Sequence, residues 1–117
     1  MSKANKHTQQ ASHNKEFYDL IKNHPFYDWA ATGLFYAAIH YIEGYLSTKS
    51  ISVGNHRDRL TYISRIKDLK PIYNQYRMLY DVSVNARYKF LKLKRKDVEE
   101  LYNKEFQTIK MHVLPLY

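Results

Sequence analysis

The sequence predicts an all-α fold, an antiparallel bundle of four to five helices. Three observations predict it. The stretch from Trp29 to Leu46, WAATGLFYAAIHYIEGYL, is apolar, small or aromatic almost throughout. Only three glycines and three prolines occur in 117 residues, and β-branched alternation is rare. The flanking segments repeat their apolar residues at helical spacing, the pattern of rods that each bury one face.

The elements follow in order. Residues 1–9 are polar and basic and are expected to form a flexible tail, with residues 10–117 making a single helical-bundle domain. A first helix is expected over Gln10–Asn23, with Ala11, Phe17, Leu20 and Ile21 on its apolar face. His24-Pro25 ends it, because proline disfavours a helical residue before it. The central helix follows over about Phe26–Thr48. Its apolar positions run round the whole circumference, so it should be enclosed by neighbours on several sides. Ala30, Gly33, Ala37 and Gly44 leave a small-residue stripe for close approach, by a helix of the same chain or by a second copy.

A loop, SISVGN, leads to a third helix over His56–Lys67, capped by Asn55, with Asp58 in its positive first turn. A fourth helix is expected over Leu69–Phe90, with Pro71 in its opening turn. Leu69, Ile72, Tyr76, Leu79, Ser83, Ala86 and Phe90 form its stripe. The basic joint LKLKRKD precedes a last helix, in which Val98, Leu101, Tyr102, Phe106, Ile109 and Val113 carry the apolar face up to Pro115.

Charge points to partners. The formal net charge is +8, and its distribution is uneven. Residues 25–50 sum to −1, while residues 51–93 hold nine cations against three carboxylates, or +6. A positive field of this kind attracts RNA, DNA, nucleotides or anionic lipid. No cysteine is present, which excludes disulfides and thiolate chemistry. The apolar run is interrupted by His40 and Glu43 and falls short of the ~20 residues of a membrane span. These features fit a cytoplasmic protein that does not enter a membrane.

Several residues could carry chemistry. His56 stands at a helix start, where backbone N–H groups suit an anion and the helix dipole favours a neutral imidazole. Arg57 and Arg59 lie beside it. Arg87, in line with Tyr80 and Tyr73, borders the core and must find carboxylate, phosphate or carbonyl partners. Tyr80 and Tyr88, among twelve tyrosines, offer rings for base stacking or for packing. His40 is expected to satisfy a buried hydroxyl or carbonyl. The six histidines form no HxxxH or HExxH pair, so neither a metal site nor a cofactor is expected. Phosphate-loop, dinucleotide-binding and nucleophile-elbow motifs are missing.

The helix LFYAAIHYIEGYL, then NHRDRL, then LY and ARY within YRMLYDVSVNARY give the chain a family likeness. It resembles the HEPN superfamily, small helical bundles named for higher eukaryotes and prokaryotes nucleotide-binding, over roughly Trp29–Phe90. One bacterial branch follows such a helix with an S/N-H-x-x-R-like segment, here His56 and Arg59. Later it carries L-Y-x-x-S-x-x-A-R-Y, here Leu79-Tyr80, Ser83 and Ala86-Arg87-Tyr88. The resemblance implies a helical bundle, often a homodimer. Many members are metal-independent ribonucleases of toxin–antitoxin or defence systems; others bind RNA, nucleotides or partner proteins, and a nucleotidyltransferase-type partner is implied for the toxin–antitoxin case. Nuclease members carry R-x4-6-H. Here no histidine lies five to seven positions after Arg57, Arg59, Arg65, Arg77, Arg87 or Arg95.

Three functions follow as expectations. The first is a non-catalytic module binding RNA, nucleotide or a partner protein through Arg57, Arg59, Tyr80 and Tyr88. The second is a metal-independent ribonuclease with His56 as acid or base and Arg87 stabilising the charged transition state. The third is a dimerising scaffold in which His56 and Arg87 tie helices together.

Overall fold

A computed structural model describes residues 2–117. Helix α1 spans Lys3–Ile21, α2 spans Tyr27–Thr48 and α3 spans His56–Arg65. Helix α4 spans Tyr73–Tyr88 after a 3-10 turn at Lys70–Ile72, and α5 (Arg95–Leu101) continues through a π-turn into α6 (Gln107–Val113). No strand occurs among the described residues. The fold is all-α, as the sequence predicts.

The central rod is α2. Leu34, Ala38, Ile42, Tyr45 and Leu46 are buried, and so are the small residues Ala30, Ala31, Ala37 and Gly44. Neighbours cover it on several sides, as expected, and one edge stays open. Trp29 is 50% exposed and Tyr36 is 43% exposed, and His40 and Glu43 continue the same edge half-buried. The small-residue stripe is used within the chain. An added Cβ at Gly33 would stand 3.1 Å from the Phe17 ring, and one at Gly44 would overlap the Tyr117 hydroxyl.

The chain before residue 10 corrects the expectation of a flexible tail, since α1 begins at Lys3. Ser2 caps it, its Oγ accepting from the Asn5 amide at 3.1 Å. The face that α1 buries is only partly the apolar one expected, which holds at Ala11 and at half-buried Ile21. Ala11 and Tyr18 are buried, while Phe17 and Leu20 are 43% and 74% exposed. Tyr18 compensates by stacking on Tyr102, with ring centroids 5.3 Å apart.

The junction of α5 and α6 has a reason in the sequence. Leu101 and Phe106 both belong to the core, yet they are five residues apart, one more than a regular turn allows. The π-turn at Tyr102–Phe106 absorbs the extra residue and keeps Phe106, Ile109 and Val113 on the buried side. Elsewhere the boundaries follow the expected signals. Asn55 Oδ1 accepts from the Asp58 amide at 2.8 Å and opens α3. Asp97 accepts from the Lys94 amide at 2.8 Å at the start of α5. Helix α4 is shorter than expected, starting at Tyr73 and ending at Tyr88, with Phe90 in the left-handed region at φ 60°.

Candidate functional site

The start of α3 lies against α2 and α4, because Arg59 and Ile63 are the buried positions of a helix whose other residues are half-buried or exposed. This packing places His56 on α4. Its imidazole lies 3.5 Å from the Tyr80 ring centroid, at 7° to it, with Tyr76 and Phe35 alongside. His56 Nδ1 and the Tyr76 hydroxyl are 2.7 Å apart.

Arg59 goes inward. Its Nη2 and Nε donate to Glu43 Oε1 at 2.6 and 3.0 Å, and its Nη1 donates to the Tyr76 hydroxyl at 3.3 Å. A guanidinium can only donate, so the Tyr76 oxygen accepts from Arg59 and its own proton is available to His56 Nδ1. This arrangement satisfies all three groups with a neutral His56 protonated on Nε2. Burial, with further repulsion from Arg59 and Arg77, holds the His56 pKa below its usual value and supports the neutral form. Burial also raises the Tyr76 hydroxyl above its usual pKa, against the pull of Arg59.

Arg87 is placed differently. It sits seven residues beyond Tyr80, about 10 Å along α4 at 1.5 Å per residue. Its Nε donates to the Ser83 carbonyl at 3.1 Å. Its guanidinium lies 6.0 Å from the Tyr36 ring centroid and 5.2 Å from that of Tyr88, two rings that are 43% and 69% exposed. A cleft of about 330 Å³ opens between the start of α2 and the end of α4, lined by Phe26, Tyr27, Asp28, Ala86, Phe90 and Lys92.

The residues singled out from the sequence therefore fall into two sets. His56, Arg59 and Tyr80 meet in one polar and aromatic cluster held within the chain. Arg87 and Tyr88 form a second, more open group, and Arg57 is exposed on α3. His56 and Arg87 lie along the same side of α4, with no hydrogen bond between them among the described residues.

His40 does not meet the buried hydroxyl or carbonyl expected of it, and sequence reasoning missed its partner. His7 and His40 bring their Nδ1 atoms to 2.9 Å, with Glu43 alongside. The two histidines are 33 positions apart, and His7 falls in the stretch expected to be a tail. Only an α1 that starts early brings it onto α2. Through Glu43 this group joins Arg59, Tyr76 and His56 in one line of polar contacts from α1 to α3.

Among curated proteins and solved structures, none matches the chain. A family model does: that of the HEPN domain matches residues 2–110. That match covers nearly the whole bundle, and the chain belongs to the HEPN family.

Proposed function

We propose that this chain is a non-catalytic HEPN module that binds RNA or a nucleotide at the Tyr36–Arg87–Tyr88 edge. The observation that carries the reading is the Arg87 guanidinium flanked by two rings that remain open to solvent. Open aromatic faces beside a cation suit stacked bases and the phosphates between them. The cleft between the start of α2 and the end of α4 offers Phe26, Phe90 and Lys92, with Asp28 the one carboxylate in its lining. The positive half of the sequence supplies the surrounding field. Apart from buried Arg59 and half-buried Arg87, the lysines and arginines of residues 51–93 are exposed.

The cluster around His56 supports this reading over the ribonuclease alternative. A ring stacked at 3.5 Å and bonded to Tyr76 is a packing group whose basic nitrogen already has a partner. A general base needs that nitrogen for the substrate. The scaffold reading keeps a share of the evidence, since His56 and Arg59 do tie α3 to α2 and α4.

The exposed line Trp29–Tyr36 favours a second reading, a homodimer in which another copy covers part of this edge. A partner protein of the nucleotidyltransferase type, as in toxin–antitoxin pairs, would compete for the same surface. The experiment is fluorescence anisotropy of a labelled single-stranded RNA and of a labelled nucleotide, followed across salt. The proposal expects affinity for the RNA to fall steeply as salt rises, with a slope set by the number of phosphates engaged. Absence of binding to both probes at low salt would end it.

A further inference from the structure

His7 on α1 and His40 on α2 face each other with their Nδ1 atoms 2.9 Å apart. Glu43 follows His40 by three residues, so the two share a helix face. Its carboxylate completes a set of three donor atoms that all lie within 4.8 Å of one another. All three residues are half-buried, accessible to an ion yet held in place by the α1–α2 packing. Two neutral imidazoles that point the same nitrogen at each other can share only one proton there. Such a pair is a lone hydrogen bond or the seat of an electrophile.

The carboxylate tips the choice. Arg59 grips Glu43 Oε1 at 2.6 and 3.0 Å and leaves Oε2 without a partner among the described hydrogen bonds. A carboxylate oriented through one oxygen by an outer guanidinium, and lying beside two imidazole nitrogens, is the arrangement of a ligating carboxylate with its supporting shell. Two imidazoles and one carboxylate suit zinc or a neighbouring divalent transition ion, and leave a coordination position for water. Nitrogens on one tetrahedral zinc stand about 3.3 Å apart at Zn–N of ~2.0–2.1 Å. The pair needs to open by only a few tenths of an ångström.

We propose that His7, His40 and Glu43 hold one divalent transition-metal ion, zinc by donor type, that clasps α1 to α2. The charges facing the site are Glu43, which attracts the ion, and Lys3 and Arg59, which oppose it. Burial is the main cause that keeps both histidines below their usual pKa, so the ligating neutral rings prevail at neutral pH. The site begins one turn beyond Tyr36 along α2, shares no residue with the Tyr36–Arg87–Tyr88 group and does not rest on the RNA reading.

The test uses the full chain without an affinity tag. Zn²⁺ is titrated by calorimetry, and Co²⁺ by visible absorption, which reports the donor set. The expected result is one ion per chain, with affinity at least about tenfold weaker in His7→Ala and in His40→Ala and unchanged in the exposed His24→Ala. Lowering the pH from about 7.5 to about 5.5 weakens binding, because a protonated imidazole is no ligand. Zn²⁺ raises the melting temperature of the parent chain and not that of His7→Ala. Should His40→Ala fail to fold, His7→Ala alone decides, since His7 is half-exposed on the outer helix. Zinc binding untouched by His7→Ala, or no binding by the parent at about 1 mM Zn²⁺, a level that captures even weak complexes, overturns the proposal.

Discussion

The imidazole of His56 lies flat on the phenol ring of Tyr80, with centroids 3.5 Å apart and planes 7° from parallel. This stack joins α3 to α4 through side chains that a ligand site would otherwise hold open. It is worth about 0.5–1.5 kcal/mol beyond the area it buries, the range for paired aromatic rings. Single substitutions His56→Ala and Tyr80→Ala are expected to lower unfolding free energy by about 1–2 kcal/mol each. Urea denaturation of both and of the double variant checks the coupling. Additive losses would mean that the rings do not act together.

Arg59 and Glu43 form the buried ion pair that carries α3 against α2, with side chains 9% and 16% exposed. Removing one partner leaves the other charge with too little solvent, at a cost of about 3–5 kcal/mol. Arg59→Ala is therefore expected to be the most destabilising change in α3, while Arg57→Ala, two residues earlier on the exposed side, changes stability by less than about 0.5 kcal/mol. Replacing both members, as Arg59→Met with Glu43→Leu, recovers part of the loss. Equal effects of Arg57→Ala and Arg59→Ala in thermal denaturation would contradict this assignment.

The pH dependence has a definite sign. His7, His40 and His56 all have pKa values lowered by burial first. Each binds its proton more readily in the unfolded chain, where the pKa is about 6.5. Their stabilising contribution is full above that value and is lost as pH falls through it toward the folded pKa. The urea midpoint is expected to drop between about pH 7 and about pH 5.5, and to drop less in His56→Phe. A midpoint that rises over this interval would show that these rings fold in their charged form.

Gly44 and Tyr117 give a prediction whose sign depends on background. Tyr117 donates to the Tyr41 carbonyl, and an alanine at 44 would overlap its hydroxyl. Alanine gains about 1 kcal/mol of helix propensity over glycine, but displacing the ring forfeits its hydrogen bond and packing, a comparable or larger amount. Gly44→Ala is expected to destabilise the parent chain and to stabilise Tyr117→Ala. A calorimetric melt of the four combinations decides, and the same sign in both backgrounds would refute the contact.

The legible parts of the fold were those in which apolar residues decide. The core of α2, the Asn55 cap and the stripe from Leu69 to Ser83 appear as the sequence predicts, while the stripe's last two positions do not, Ala86 being half-buried and Phe90 87% exposed. The start of α1 did not, because its inward line runs through half-buried His7 and Asn14 as well as buried Ala11 and Tyr18, and leaves Phe17 and Leu20 exposed. Polar side chains can occupy a half-buried stripe when a neighbour offers partners, and periodicity of hydrophobicity is blind to that. The same blindness hid the His7–His40–Glu43 group. At the candidate site, Arg57 and Arg59 both read as binding residues in the sequence. Helical geometry separates them, turning Arg57 to solvent and Arg59 inward. The stacking of His56 on Tyr80 depends on the angle between α3 and α4, which no spacing within either helix encodes.

The central claim is that His56 holds the fold while Arg87 meets the ligand. Anisotropy titrations of single-stranded RNA with the parent chain, Arg87→Ala and His56→Phe test it most directly. His56→Phe preserves the stack on Tyr80, and is expected to bind RNA as the parent does. Arg87→Ala is expected to bind about tenfold or more weakly and with a shallower salt dependence. Unaltered binding by Arg87→Ala, together with lost binding by a folded His56→Phe, would contradict the account.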